Sequence, residues 1–307
     1  GMTMENQGIT VEGNDVRGTR NLIRAKNMDN VAIFVGKKTK RAEIDHNEYT
    51  GSQSSDGAGD DWKYPILTRH ECSSPANNYI HHNYIHDVTG ERQGHATAIM
   101  SGFGLICRGT DAPNGGKGGD IIEYNLISNY NTGNYIRTKS GQNTIRFNTG
   151  LGGVAIQNRI GRSNKWIGNW FELNKTAQIF DSKHEIIGNR FIGAPVWIGS
   201  GNQKGTTLEV RTHGDVTYLT ADESLVVGNT GKIVIGGFYD NNLPHDEPVR
   251  NVRVEAHQTG NGCGQGTITC QKHQGTTFSA TTNMDVPQAV KLTPSQVGPN
   301  APTAPRL

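Results

Sequence analysis

Short stretches of alternating apolar and polar residues recur along the chain and predict β-strands. Ile136 and Thr138 stand two positions apart, as do Ile145 and Phe147. A two-residue period places alternate side chains on opposite faces of a strand. No segment carries the sustained apolar stripe of an amphipathic helix. The pattern therefore predicts an all-β protein.

An internal repeat indicates how these strands are arranged. An apolar residue, two further residues and an asparagine recur eight times, ending at Asn14, Asn47, Asn83, Asn125, Asn148, Asn169, Asn189 and Asn229. The closest copies lie 23, 21 and 20 residues apart, and the others 33, 36, 42 and 40. Such a short period does not suit helix-pair repeats and fits a coil of short strands. We predict a single-stranded right-handed parallel β-helix, a solenoid, whose asparagines stack at turns about 4.8 Å apart.

The residue before each asparagine repeats as well, as His46, His82, Tyr124 and Phe147, and then as glycine. Strand alternation predicts that these side chains point into the interior. His46 and His82 are accordingly interpreted as core residues rather than catalytic ones.

The chain divides into two parts. We predict a β-helix over residues 1–290 and a Pro-rich tail over residues 291–307 that runs extended along its surface. The open end of a β-helix exposes strand edges and needs a cap. No helical cap is visible before the first repeat, so we expect the first rungs to be missing from this chain.

Composition narrows the range of functions. Of 307 residues, 40 are glycine, only 33% are hydrophobic, and the net charge is +2. A nearly balanced charge gives no sign of a nucleic-acid partner, and no run approaches the roughly 18 apolar residues of a membrane span. Cys263 and Cys270 bracket a hairpin-like segment, whereas Cys72 and Cys107 lie 35 residues apart. Disulfides and buried free thiols are both compatible with these spacings, which do not suit a zinc site.

One predicted strand in each repeat carries cations on its outward face. Alternation turns Arg137 and Lys139 outward, followed one repeat later by Gln157 and Arg159. The same line is predicted to include Phe180, Ser182 and Trp197, with Arg108 one rung earlier and Arg162 nearby. Exposed cations also keep a sheet soluble, but like charges stacked on adjacent rungs repel one another. We interpret the line as a binding face for an anionic polymer, in which arginine pairs with carboxylated sugars.

The segments around Lys139 and Arg159 resemble the polysaccharide lyase family that contains chondroitinase B and many alginate lyases. Lys139-Ser140-Gly141, followed by the NTIRFN strand of residues 143–148, is similar to the KSG-like segment and the next strand of that family. Arg159 matches an arginine about one rung later, although Ile160 stands where the family often has histidine. The segments IDHNEYTG, IEYNLI and LTPSQVGP also resemble family members.

The resemblance implies β-elimination on a uronic-acid polysaccharide, with alginate expected first and a glycosaminoglycan second. Lys139 would take the C5 proton, and Arg159 would neutralise the carboxylate or assist the leaving oxygen. Neighbouring cations disfavour a charged lysine, so Arg137 and Arg159 are expected to tune the base. Tyr135 and His184 are the alternative bases.

A calcium site is usual in this family, and two glutamates shortly before the lysine commonly hold the ion. Those positions fall on Thr132 and Asn134, which carry no charge. Calcium prefers several oxygen ligands with carboxylates among them, so we expect no metal there and regard Arg137 as the substitute cation. A second acidic segment, interpreted as a solvated turn rather than a calcium loop, contains Asp56, Asp60 and Asp61.

Two other functions stay open. A glycoside hydrolase on the same scaffold, as in phage tailspikes, needs two carboxylates that flank the scissile bond. Asp181 and Glu185 are close in sequence but do not lie on the cationic line. The other alternative is a polysaccharide-binding module or virion part without activity. Each case implies an anionic polysaccharide as partner and a secreted, periplasmic or virion-associated location.

Overall fold

The computed structural model describes residues 2–5, 9–11, 17–28, 32–36, 38–53, 64–70, 74–89, 97–102, 117–130, 133–204, 212–213, 216–238 and 248–302. Within these ranges the chain forms β-strands, one short 3₁₀ turn at Pro294–Gln296 and no α-helix. The all-β prediction is therefore confirmed.

Three long sheets run side by side along the molecule. The first contains Met2–Glu5 (β1), Leu22–Met28 (β4), Glu48–Gln53 (β7), Tyr84–Thr89 (β10), Leu126–Tyr130 (β13), Thr149–Leu151 (β16), Trp170–Leu173 (β19) and Arg190–Gly193 (β22). The second contains Ile9–Val11 (β2), Ile33–Val35 (β5), Ile66–Thr68 (β8), Thr97–Ser101 (β11), Asn134–Thr138 (β14), Ala155–Asn158 (β17), Ala177–Ile179 (β20), Val196–Lys204 (β23), Thr212–His213 (β24), Val216–Thr220 (β25), Ile233–Phe238 (β27) and Ile268–Cys270 (β30).

The third sheet contains Arg17–Thr19 (β3), Glu43–Asp45 (β6), Tyr79–His81 (β9), Ile121–Glu123 (β12), Thr144–Arg146 (β15), Lys165–Ile167 (β18), Glu185–Ile187 (β21), Leu225–Val227 (β26), Arg253–Glu255 (β29) and Thr277–Ser279 (β32). Val249–Arg250 (β28) and His273–Gln274 (β31) form a separate pair. From β1 to β20, each strand pairs in parallel with the strand three places further along the chain. This is the connectivity of a parallel β-helix, as predicted.

The interior is filled by the inward residue of each short strand. In the third sheet these residues stack in register as Ile44, Ile80, Ile122, Ile145, Trp166, Ile186, Val226 and Val254. Full burial of a side chain of this size stabilises the fold by about 1.5–3 kcal/mol relative to exposure. The apolar alternation thus specifies both the strands and their inward face.

An asparagine ladder links the rungs. The backbone N–H and the side-chain amide of Asn47 both donate to Asn83 Oδ1, at 3.0 and 2.9 Å. The same pair of bonds repeats along a column formed by Asn21, Asn47, Asn83, Asn125, Asn148, Asn169, Asn189 and Asn229. The predicted stacking is confirmed from Asn47 to Asn229, and Asn14 lies outside the described residues. Asn21 is the first member of the column that the structure describes, and the motif missed it because no apolar residue stands three positions before it.

The residues that precede the ladder asparagines lie at turns of the chain. Their side chains do not enter the apolar interior, so the prediction that they point inward is wrong. His46, His82, Tyr124 and Phe147 adopt left-handed backbone with φ between 50° and 54°. Their rings form a stacked column with centroids 5.1–5.2 Å apart. The positive φ directs the side chain away from the strand's inward face, and the C-terminal segment covers the column instead.

That C-terminal segment packs against the first sheet and the aromatic column. Leu292 and Val297 form an apolar cluster with Leu126, and Tyr124 packs against it. The Leu292 N–H donates to Thr149 Oγ1 at 2.9 Å. Farther along the column glycine replaces the aromatic ring, because a Cβ at position 188 would lie 2.1 Å from the Pro287 carbonyl oxygen. The boundary between β-helix and tail at residue 290 stays a prediction.

A disulfide closes the last part of the β-helix. Cys263 and Cys270 are bonded, and Cys270 belongs to β30 of the second sheet. Of the two states that the sequence left open, a disulfide or two free thiols, this pair therefore forms the disulfide. Cys72 and Cys107 lie outside the described residues.

Candidate active site

The outer face of the second sheet carries a column of polar side chains in register. Arg137 in β14 pairs with Gln157 in β17, Gln157 with Gln178 in β20, and Gln178 with Trp197 in β23. On the preceding rung, pairing of β11 with β14 places Ser101 opposite Thr138, which fixes the register there. Strand pairing therefore sets these four side chains about 4.8 Å apart along the helix axis.

A second column lies two residues further along each strand and contains the candidate catalytic pair. The backbone N–H of Lys139 donates to the Ser101 carbonyl, at 2.7 Å. The N–H of Arg159 donates to the Thr138 carbonyl at 3.0 Å, and that of Phe180 to the Asn158 carbonyl at 3.0 Å. Lys139 and Arg159 thus occupy equivalent positions on adjacent rungs.

The same bonds correct the predicted alignment of Phe180. Phe180 stands at the position of Arg159, and Gln178, which was not predicted to belong to the line, stands at the position of Gln157. Phe180 is also buried, with 3% of its surface exposed, and Ser182 is buried too. The rung from Gln157 to Gln178 spans 21 residues, and no residue pattern between β17 and β20 fixes that length in the sequence.

Arg137 is covered rather than solvent-exposed. Only 5% of its surface is accessible, so the expectation that alternation sends it into solvent is wrong. Burial lowers its pKa to about 10, and the nearby charge of Arg159 contributes to the decrease. Burial also lowers the pKa of Arg159. Arg137 is thus buried and lies within range of the charge of half-buried Arg159, and burial strengthens the field that an anion beside them would experience.

An apolar cluster borders these cations on the N-terminal side. Leu67 in β8 and Met100 in β11 continue the column of Arg137 in register. Both are buried and pack with Tyr64, and Phe34 lies at the edge of the cluster. In this column the cationic stretch therefore begins at Arg137.

Amide and indole groups follow on the C-terminal side. Gln157 Nε2 donates to Gln178 Oε1 at 2.5 Å, which aligns the two amides along the sheet. Trp197 Nε1 donates to the Gly236 carbonyl at 2.5 Å and the indole remains half-buried. A held indole offers a flat apolar face beside polar groups, a combination that suits a sugar ring.

A buried polar network supports the strand ends that carry Lys139 and Arg159. Thr138 Oγ1 donates to Asn158 Oδ1 at 2.6 Å, and Asn164 Nδ2 donates to the same oxygen at 2.6 Å. Asp120 accepts from Ser101 Oγ at 2.9 Å and contacts His70 Nε2 at 2.8 Å. Burial opposes the charge of Asp120, yet the neighbouring His70 and the hydroxyl donors lower its pKa.

This network is part of a second ladder that the sequence motif did not reveal. Each backbone N–H donates to the side chain one rung further along, through Asn78, Asp120, Asn143, Asn164, His184 and Ser224. The position is occupied by asparagine, aspartate, histidine or serine on different rungs, so no single repeated letter marks the ladder in the sequence. The network fixes the backbone under Lys139.

The two alternative bases are buried. Tyr135 donates its hydroxyl proton to the Glu172 carbonyl at 2.9 Å, and burial raises its pKa to about 12. His184 Nδ1 accepts from the Asn164 N–H at 3.2 Å, and its Nε2 lies 2.9 Å from the Phe180 carbonyl. Burial lowers the pKa of His184. Both rings are structural and have under 2% of their surface exposed.

Arg162 and the two carboxylates considered for a hydrolase, Asp181 and Glu185, have other partners. Arg162 Nε lies 3.3 Å from Asp181 Oδ1, and the Gly161 N–H donates to Asp181 Oδ2 at 2.9 Å. Asp181 is fully buried, whereas Glu185 lies on the third sheet and pairs with Lys165 at 3.0 Å. The two carboxylates therefore do not face one cleft, which removes this pair as a hydrolase centre.

The residues at the usual calcium positions do not fit the ion. Asn134 is a buried residue of β14 that supplies a neutral amide, and Thr132 lies outside the described residues. Neither residue type provides the carboxylates that calcium prefers. Arg108 and the acidic segment of Asp56, Asp60 and Asp61 also lie outside the described residues.

Comparison with solved structures identifies the fold. The chain is similar to a PL6 alginate lyase in complex with a trisaccharide, at 14% identity and a TM-score of 0.59, over 94% of this chain and 79% of that one. It is similar to a mannuronic-acid-specific polysaccharide family 6 lyase from the human gut microbiota, at 15% identity and a TM-score of 0.59, over 88% and 68%. It is also similar to the alginate lyase AlyF-OU02 in complex with G6, at 13% identity and a TM-score of 0.57, over 90% and 67%.

The chain therefore has the parallel β-helix fold of these polysaccharide lyases, which confirms the predicted resemblance at the level of fold. No protein-family model matches the sequence, and no curated protein sequence does. Among the described residues, no helix has the length and apolar character needed to cross a membrane.

Proposed function

We propose that this protein is a polysaccharide lyase that cleaves a uronic-acid polymer by β-elimination, with alginate as the first substrate and a glycosaminoglycan as the second. One observation carries the proposal: Lys139 and Arg159 occupy equivalent positions on adjacent rungs, directly beside Arg137. The similarity to two alginate lyases and a mannuronic-acid-specific lyase supports the same class of substrate.

Lys139 is the base in this reaction. The C5–H bond breaks and its proton passes to the Lys139 amine, while the electron pair forms the C4=C5 double bond and expels O4. A base works only when it is unprotonated, and positive charges beside an ammonium group favour its neutral form. Arg137 and Arg159 supply such charges.

Arg159 and Arg137 stabilise the developing negative charge. Abstraction of the C5 proton moves charge onto the uronate carboxylate, and fixed cations at that point lower the barrier. Arg159, which is half-buried, contacts the carboxylate or the leaving oxygen. Arg137, on the same rung as Lys139, contributes its buried charge without a metal ion.

Gln157, Gln178 and Trp197 extend the binding face. Their register continues the Arg137 column along the axis of the β-helix, which suits a polymer that lies parallel to that axis. Trp197 would stack on one sugar ring, and the amides would bond hydroxyl groups. Arg108 and Arg162 remain proposed contacts, although Arg162 is already paired with Asp181. Such an enzyme acts where the polymer is found, so we propose a secreted or periplasmic location.

A binding module without activity is the second candidate. The loss of carboxylates at the calcium positions favours it, because the family's usual charge neutraliser is missing. A panel of uronic-acid polymers separates the two functions. A lyase produces a C4=C5 double bond conjugated with the carboxylate, which absorbs in the ultraviolet, whereas a binding module retards the polymer in a gel without producing that absorbance.

A further inference from the structure

Arg69 is a further cation in the column of the candidate catalytic pair. It directly follows Thr68, the last residue of β8, just as Lys139 directly follows Thr138, the last residue of β14. Both threonines are register partners of Ser101 in β11, which lies between the two strands. Arg69 therefore stands two rungs before Lys139 at the equivalent position, about 10 Å away along the axis of the β-helix.

The side chain of Arg69 lies on the outer face of the second sheet. Its guanidinium carbon is 5.9 Å from the centroid of the Phe34 ring. Phe34 is the register partner of Leu67, whose column continues through Met100 to Arg137 on that face. Arg69 and Phe34 are both half-buried, whereas Leu67 and Met100 are buried. The charge of Arg69 is thus accessible on the face that carries the candidate site.

The rung between Arg69 and Lys139 has no side chain in this column. Gly102 follows Ser101 at the equivalent position, and its φ of 81° suits glycine. A Cβ at this position would lie 2.9 Å from the carbonyl carbon of Lys139 and 2.9 Å from Ser140 Cβ. Any other residue would be strained there, so no side chain separates the two cations along the column.

The spacing of these cations matches the repeat of a uronic-acid polymer. Each sugar of an extended 4-linked chain is comparable in length to one rung, about 4.8 Å, and alternate sugars turn to the same side. Carboxylates on that side therefore recur at every second rung. When one carboxylate lies at Arg137, on the rung of Lys139, the next on the same side lies at the rung of Arg69. A guanidinium group binds a carboxylate through two parallel hydrogen bonds.

We propose that Arg69 is a substrate-binding residue that holds the carboxylate of a sugar two units away from the one that loses its C5 proton. The inference rests on the proposed lyase function and adds a requirement on the substrate. The polymer lies across the three rungs of β8, β11 and β14 before it reaches Gln157. Affinity therefore depends on a second uronate at two-sugar spacing.

The test compares oligosaccharides of defined length from the polymer that the parent protein cleaves. Arg69→Gln keeps most of the stem beside Phe34 and removes the charge. We expect it to raise KM for the polymer by about 10-fold, the equivalent of one charge-assisted hydrogen bond, with kcat nearly unchanged. In the parent, KM should fall when an added sugar reaches Arg69, and in Arg69→Gln that fall should be absent. Arg69→Lys, which keeps a positive charge, should recover part of the loss.

Two further measurements make the result specific. Arg253→Gln removes an exposed arginine of the third sheet and should leave KM unchanged at every length. Retardation in a gel that contains the polymer tests Arg69 without turnover, and Arg69→Gln should be retarded less than the parent.

Two results would overturn the assignment of Arg69. One is an equal change in KM at every length in Arg69→Gln, which would indicate a structural role, and the other is retardation equal to that of the parent. A parent protein that is retarded but produces no ultraviolet absorbance would show that the lyase function is wrong, while the gel still tests Arg69. A parent that is neither retarded nor active would overturn both proposals.

Discussion

Arg159 lies one rung beyond Lys139, and a single hydrogen bond from the Arg159 N–H to the Thr138 carbonyl fixes the offset. The preceding register pair, Thr138 with Asn158, is buried on both strands and is joined by a side-chain bond of 2.6 Å. Two cationic side chains are thus kept adjacent although their charges repel. A fold tolerates the free-energy cost of this repulsion most readily where the two charges bind an anion.

Lys139→Ala should remove the base and lower the rate of elimination by about 10²–10⁴-fold, with less effect on polymer binding. Lys139→Arg should fail as well, since a guanidinium group stays protonated in the working pH range. Initial rates of ultraviolet absorbance, with binding measured separately by calorimetry, test both variants. Lys165→Ala is the matched control, because Lys165 is an exposed lysine on the third sheet. A Lys139→Ala variant with near-parent activity would place the base elsewhere.

Arg159→Ala should weaken binding and turnover together. A cation that meets the substrate carboxylate acts in the ground state and more strongly in the transition state, so KM should rise and kcat should fall. Steady-state kinetics on the best polymer of the panel measures both constants. Arg253→Ala, which removes an arginine on the third sheet, should change neither, and a purely structural role for Arg159 would appear as a loss of thermal stability instead.

The sequence predicted the β-helix and the pairing of Lys139 with Arg159 because both depend on strict repetition. Asn125, Asn148, Asn169 and Asn189 repeat at intervals of 20–23 residues, and alternation fixes which neighbours face outward. Burial of Arg137 and the position of Tyr64 were not predictable, because both depend on what covers the outer face. The left-handed backbone at His46 was missed for a related reason, since strand alternation does not hold at a turn.

Chelation should leave the activity unchanged. The positions of the usual calcium ligands carry Thr132 and Asn134, and buried cations lie beside the candidate base instead. Activity is measured after dialysis against a chelator and again after calcium is added back. Loss on chelation with recovery on calcium addition would show that a metal is bound by other residues.

Asn148→Ala should destabilise the fold more than an exposed substitution does. Asn148 Oδ1 accepts from the Asn125 N–H at 3.0 Å, and its amide donates to the Ile122 carbonyl at 2.8 Å. Each buried group left without a partner costs about 1–3 kcal/mol, so the midpoint of urea unfolding should decrease clearly. Asn174→Ala, at an exposed position, is the control. Equal midpoints for the two variants would mean that the ladder contributes little to stability.

Asp45 should contribute to the free energy of unfolding near neutral pH, and this contribution should disappear in acid. Burial alone would raise its pKa, but hydrogen bonds from Arg17 and His46 hold the pKa at about 2. The folded pKa is thus below the unfolded value of about 3.9, so the contribution is fully present above about pH 4 and is lost as the pH falls toward 2.

Asp45→Asn isolates this effect from that of the other carboxylates. The variant should be less stable than the parent at about pH 6, and the difference in free energy of unfolding should shrink by about 1 kcal/mol at about pH 3. Urea unfolding of both proteins at the two pH values measures the change. A difference that stays constant between them would mean that Asp45 titrates alike in the folded and unfolded chains, and that Arg17 Nη2, 2.8 Å from its carboxylate, does not stabilise the charge.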